Sequence, residues 1–205
     1  WRSPGNSMLT FARESHIDAL AAAAGLDPVE FRLRHLTDAR ARNVLTRAAE
    51  AFGWQSSKSP SGRGWGVACG EYNGVYVTVI AELAVDIVTG AITVHRMVSA
   101  LDCGRVINPD GVRQQMESGV IMGLGFSLSE ELHFQAPAIT DLNFDTYQIP
   151  RFSWMPSMET VIVPKKVGTY TIPALDFSYF DQDSRVYRTL QTASHILTVK
   201  PGSET

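Results

Sequence analysis

The chain has 205 residues, 44% of them hydrophobic, and a formal net charge of −3. That length suits one domain, or part of a larger one, with a sizeable core. The mixed, slightly acidic charge leaves no basic footprint for nucleic acid, and no apolar run is long enough to cross a bilayer. No signal peptide is present, and a segment before Trp1 is where one would sit.

Residues 1–53 read as helical. Leu9, Ala12, Ala19, Ala23 and Leu26 fall at alternating three- and four-residue steps with His16 filling the gap, the spacing of a helix. Asp27-Pro28-x-Glu30 is a second helix start, with an aspartate cap, proline at the first position and glutamate placed to reach back. A third helix covers about 40–52 and stops at Gly53. The polar run 55–62 is the best internal boundary. After it the period becomes two. Val75, Val77, Val79, Ala81, Leu83, Val85 and Ile87 alternate with Thr78, Glu82 and Asp86, predicting a half-buried strand with the odd set inward. Thr89-Gly90 turns the chain, and Ile92, Val94 and Val98 bring it back as a hairpin partner. A long helix over 109–132 follows, then irregular chain, then a short strand at 159–163. Residues 164–205 carry no sustained period and read as a divergent tail without expected order. The fold class is α+β, with N-terminal helices packed on a mixed or antiparallel sheet and a long central glycine-containing helix.

The stretch Asp102-Cys103-Gly104 to Asn108-Pro109 reads as a strand end, a glycine turn and a helix start. Asn108 is a good N-cap, Pro109 suits the first helical position, and Asp110 places negative charge at the positive end of the helix dipole. Gln115, Gly119 and Met122 then share one face, with Ser118 beside them. Gly119 and Gly123 each cost roughly 1 kcal/mol of helix stability relative to alanine. Either close protein packing or a closely approaching ligand explains them. Cys69 and Cys103 form neither a CxxC pair nor a disulfide framework, so they leave the compartment open between cytoplasm and periplasm, and Cys103 reads as a small buried residue. The five histidines show no metal-ligand spacing, and no nucleophile triad, P-loop or dinucleotide fingerprint is present.

The run DCGRVINP…QQMESGVIMGLG resembles a segment of the xanthine dehydrogenase/aldehyde oxidase family, in its molybdopterin-binding large or β subunit. Trp1-Arg2-Ser3-Pro4-Gly5 with Phe11-Ala12-x-Glu14 is similar to that family's Arg-x-x-Gly…Phe-x-x-Glu, and Thr146-Tyr147-Gln148-Ile149-Pro150 to its Thr-Tyr-x-Ile-Pro. The three matches stand in family order over about residues 1–163, nearest to the isoquinoline 1-oxidoreductase β-subunit type. The resemblance implies part of a molybdenum-cofactor-binding domain over 1–163, belonging to an oxidoreductase that oxidises aldehydes or N-heteroaromatic compounds and passes electrons to iron–sulfur clusters on a partner subunit. It also implies that Arg2 and Gln115 hold the molybdopterin, that Gly119, Gly123 and Gly125 let the helix approach it, and that Asp102-Gly104 shape the turn beneath.

One family feature is absent. Past the Tyr-x-Ile-Pro segment, members carry a Val-Gly-Glu-Pro turn whose glutamate is the general base. Here the sequence is Val167-Gly168-Thr169-Tyr170. A threonine hydroxyl is no base at neutral pH, and losing a positioned general base removes about 10²–10⁴-fold in rate. No residue is therefore assigned a catalytic role, and the isolated chain is expected to show no turnover. Two explanations fit: a tail foreign or out of frame on an ordinary fragment, or a catalytically silent binding or assembly module of the same family. The abrupt loss of similarity after Val163 favours the first.

Overall fold

A computed structural model describes residues 5–56, 62–163, 168–174, 176–181 and 186–199. The chain divides into two compact units, Trp1–Gly104 with Asn108–Val163, and Arg105–Ile107 with Pro164–Thr205.

In the first unit three helices precede the sheet: α1 Asn6–Ala23, α2 Pro28–His35 and α3 Ala39–Phe52. Their ends follow local chemistry. Asp27 caps α2 by accepting the Val29 and Glu30 N–H groups, with Pro28 in the first turn. Asp38 caps α3 through Arg40 and Ala41, and Gly53 closes it in the left-handed conformation at φ 74°. Glu30, expected to complete a capping box, pairs with Arg34 instead.

The strands β1 Gly64–Tyr72, β2 Val75–Val85 and β3 Ile92–Asp102 form an antiparallel meander. The helix α4 Pro109–Leu128 then carries the chain across to β6 Ser157–Ile162, which pairs parallel to β3, so the sheet is mixed with order β1-β2-β3-β6. A parallel neighbour needs such a crossover. Between α4 and β6 lies a minimal hairpin of β4 Phe134–Gln135 and β5 Ala138–Ile139.

The core forms where α3 lies across the sheet. Val44, Leu45, Ala48 and Phe52 meet Val67, Ile80, Val98 and Ala100, with Trp54 and Trp65 packed alongside. One facing prediction is corrected here. On β2 the even set turns inward: Thr78 and Ile80 are 1% and 0% exposed, whereas Val77 and Val79 are only half-buried. Both faces of β2 are apolar enough to be covered, and the packing of α3 chooses between them. On α1 the buried residues are Glu14 and Ala21, while Leu9, Ala12, His16, Ala19 and Ala23 are exposed. The rotation of α1 is set by the ion pairs of Glu14, which an apolar periodicity does not register.

The second unit contains two antiparallel pairs, β7 Gly168–Ile172 with β10 His195–Val199, and β8 Asp176–Asp181 with β9 Val186–Gln191. The sequence reading expects no regular structure here, because residues 164–205 carry no sustained helical or strand period. β9 is exposed at every position.

Candidate functional site

Helix α4 begins as its sequence dictates. The Asn108 side chain accepts the Gly111 N–H at 3.0 Å, and Asp110 pairs with Arg113 in the first turn. It ends at Leu128 rather than the expected 132, because the Ser129 and Glu130 N–H groups both turn back to the Gly125 carbonyl. Gln115, Ser118 and Gly119 are exposed, and Met122 and Gly123 are half-buried. A Cβ added at Gly119 or Gly123 would meet nothing within 4 Å. Among the described residues, no close protein packing accounts for either glycine.

Gly125 behaves differently, and its expected role against a ligand is corrected. A Cβ there would overlap Glu130 Oε1 and lie 3.0 Å from Pro150 Cδ. The Tyr147 hydroxyl donates to Glu130 Oε2 at 2.5 Å, and this bond, with burial, holds the phenol above its ordinary pKa. Gly125 thus makes room for the Thr146–Pro150 segment to close against the end of α4.

At the strand end that leads to α4, Asp102 is almost fully buried and carries a guanidinium fork. Arg40 Nε donates to Oδ2 at 2.8 Å and Nη2 to Oδ1 at 2.7 Å, while Oδ1 also accepts the Gly104 N–H at 2.8 Å. The Arg40 guanidinium stands 4.6 Å from the centre of the Tyr76 ring, and Tyr76 donates to Asp38 Oδ2 at 2.9 Å. The hydrogen bond to Asp102 is the main cause holding the Arg40 pKa above its ordinary value. Sequence reading misses Arg40, which lies 62 residues from its partner. One signal was available: a cation in the first turn of a helix opposes the dipole and needs a reason.

Glu14, part of the Phe-x-x-Glu match, is structural. It accepts from Arg13 Nε, Arg32 Nε and the Cys69 N–H at 3.0, 3.0 and 2.8 Å, while Arg13 Nη2 donates to the Cys69 carbonyl at 2.8 Å. Together Arg13 and Glu14 saturate one residue of the β1 edge as a neighbouring strand would. For Arg32, burial works to lower the pKa, and the hydrogen bonds and charges of Asp18 and Glu14 outweigh it, leaving it raised.

Arg2 lies outside the described residues. Thr169 sits in β7, exposed, paired with Thr198 of β10. Cys69 is half-buried with Sγ 3.4 Å from the Thr78 hydroxyl, and burial pushes its thiol up. Cys103 is half-buried rather than fully buried, and both cysteines are free thiols. Among the described residues no group of His, Cys, Asp and Glu is placed to hold a metal ion, and no helix is long and apolar enough to cross a membrane.

A cleft of about 400 Å³ opens elsewhere, between α1, α2 and the β1–β2 end, lined by Ile17, Phe31, Leu36 and Val44 with Arg13 and Tyr76. Its lining includes no residue of α4. The open glycine face and this cleft are separate places on the first unit.

Comparison with known proteins identifies the family of the chain. A family model described as molybdopterin cofactor-binding domain matches residues 13–156. The chain is 34% identical to a nicotinate dehydrogenase subunit of Pseudomonas putida, with 77% of this chain and 15% of that protein covered. It is 33% identical to the beta subunit of isoquinoline 1-oxidoreductase of Brevundimonas diminuta, with 79% and 21% covered. The chain therefore spans about a fifth or less of the length of these relatives. Among solved structures, the aldehyde oxidoreductase of Desulfovibrio gigas superposes with a TM-score of 0.67 over 80% of this chain and 36% of that one, at 13% identity, which speaks to the fold alone.

Proposed function

Because the chain belongs to the molybdopterin cofactor-binding domain family, we propose that it forms one wall of the cofactor site in the large subunit of a molybdenum hydroxylase. The observation that carries this is the face of α4, where Gly119 and Gly123 leave space that any side chain would fill and Gln115 stands one turn before Gly119. A flat, polar ligand fits there. The glycines let it approach the helix backbone, and the Gln115 amide can both donate to and accept from it. Arg2, at the sequence match, is the second residue we assign to the cofactor, as a fork of donors for its oxygens. The bound cofactor supplies two-electron oxidation of a substrate carbon, while the protein holds and orients it.

The relatives named for nicotinate and isoquinoline support an N-heteroaromatic substrate, and the relative named indole-3-acetaldehyde oxidase supports an aldehyde. Two of those names designate one subunit among several, which supports a partner subunit, and we assign the iron–sulfur clusters to it. This chain contributes positioning. By the sequence resemblance Thr169 stands where the family has its glutamate, so we assign no residue of this chain to the proton transfer of the reaction.

The test is metal and pterin analysis of the full-length subunit purified with its iron–sulfur partner. Stoichiometric molybdenum and pterin are expected, falling when Gln115 is replaced by Leu. A wild-type complex without either would overturn the assignment.

A further inference from the structure

We propose that Arg40 is a positioning residue for the cofactor-bearing helix, acting through Asp102. The inference rests on the cofactor reading above and adds to it a residue 75 positions from Gln115 on another helix.

The geometry has three parts. First, one guanidinium engages both carboxylate oxygens of Asp102 and also approaches its carbonyl oxygen at 3.4 Å, so it fixes the side chain and the backbone of the last β3 residue together. Second, the same carboxylate takes the Gly104 N–H, and Gly104 sits at φ +77°, which selects one path out of the strand. From Gly104 the chain reaches Asn108, the cap of α4, in four residues. Third, Arg40 is itself held. Its own N–H caps onto Asp38, its guanidinium lies over Tyr76, and Tyr76 donates to Asp38. The arrangement closes on itself, so the fork has one orientation in which to present its donors.

A lysine keeps the charge and loses the fork. If the pair served stability alone, a cation in the first turn of α3 would be a poor choice against the helix dipole, and an apolar pair would serve as well. A fork that fixes the exit of β3 instead sets where α4 starts, and with it how Gln115 and Gly119 face the cofactor. Outer residues that orient a binding group change affinity by about 10–100-fold when replaced.

The experiment uses the full-length subunit in complex with its partner and reads two quantities, pterin bound per chain and the urea midpoint. Arg40→Lys and Asp102→Asn are compared with Ala48→Gly, which weakens the buried centre of α3 without touching this network. Both network variants are expected to bind pterin about tenfold more weakly, read as a lower pterin-to-chain ratio, the double variant no more so than either alone, while Ala48→Gly keeps its pterin at an equal or lower midpoint. Occupancy that follows the midpoint in all three, or full occupancy in Arg40→Lys, overturns the proposal. If Arg40→Lys yields no folded complex, Asp102→Asn decides by the same criterion. Absence of pterin from the wild type refutes the cofactor reading itself, a result separable from loss confined to the network variants.

Discussion

The glycines of α4 make opposing predictions at positions only a few residues apart. Gly119 and Gly123 have nothing within 4 Å of where an alanine methyl group would stand, so replacing either by alanine removes only the entropic cost of glycine in a helix. That gain is about 0.8–1.0 kcal/mol each. The double variant should gain about 2 kcal/mol, a rise in Tm of roughly 4–8 °C for a chain of this size. Gly125→Ala gains the same propensity but drives a methyl into a carboxylate oxygen of Glu130 and to 3.0 Å from the Pro150 ring. Glu130 is held by Tyr147, so it cannot simply swing away. Overpacking costs about 1–3 kcal/mol, which leaves Gly125→Ala destabilised by up to about 2 kcal/mol. Thermal and urea unfolding by far-UV circular dichroism measures both. If a ligand is what the first two glycines accommodate, Gly119→Ala/Gly123→Ala combines higher stability with poorer pterin retention. Loss of stability in that double variant, or stabilisation by Gly125→Ala, would refute the division of roles along the helix.

Other perturbations test the frame around the site. Glu14→Ala leaves the buried Arg32 guanidinium with Asp18 as its one carboxylate partner and the Cys69 N–H without an acceptor. It should cost about 3–5 kcal/mol in urea unfolding, and a loss under about 1 kcal/mol would show that α1 is not anchored there. The Asp38–Tyr76 bond predicts two pH limbs. The Ala41 N–H and then the Tyr76 hydroxyl hold the Asp38 carboxyl below its usual value, so its contribution is full above the ordinary carboxylate range and is lost as pH falls through the lowered pKa. The bond to Asp38 holds the Tyr76 phenol above its usual value, so that contribution is full below the ordinary phenol range and is lost as pH rises through the raised pKa. Tyr76→Phe should shallow both limbs in a series of urea midpoints against pH, leaving the alkaline contribution of Tyr147 in place.

What the sequence discloses is local. Asp27-Pro28, Gly53 and Asn108-Pro109 announce helix ends because a cap, a fixed φ or a missing side chain acts within a few residues. The open positions of Gly119 and Gly123 stand out for the same reason, since a glycine inside a helix is anomalous wherever it occurs, whereas Gln115 is assigned through the family resemblance. The inner face of β2 was not. Val77 and Val79 compete with Thr78 and Ile80, and only the arrival of α3 decides. The rotation of α1 depends on a carboxylate meeting Arg32, 18 residues on, and Cys69, 55 residues on. The Arg40–Asp102 fork joins a helix start to a strand end that no pattern connects. In β9, where all positions are exposed, there is no alternation to read.

The central claim is that the open side of α4 faces the molybdopterin. Anomalous diffraction at the molybdenum edge from the loaded full-length complex would locate the metal and its pterin directly. The account predicts pterin density against Gln115, with Gly119 and Gly123 in van der Waals contact beneath it. Density in the cleft between α1, α2 and β1, or protein side chains filling the glycine face, would contradict it.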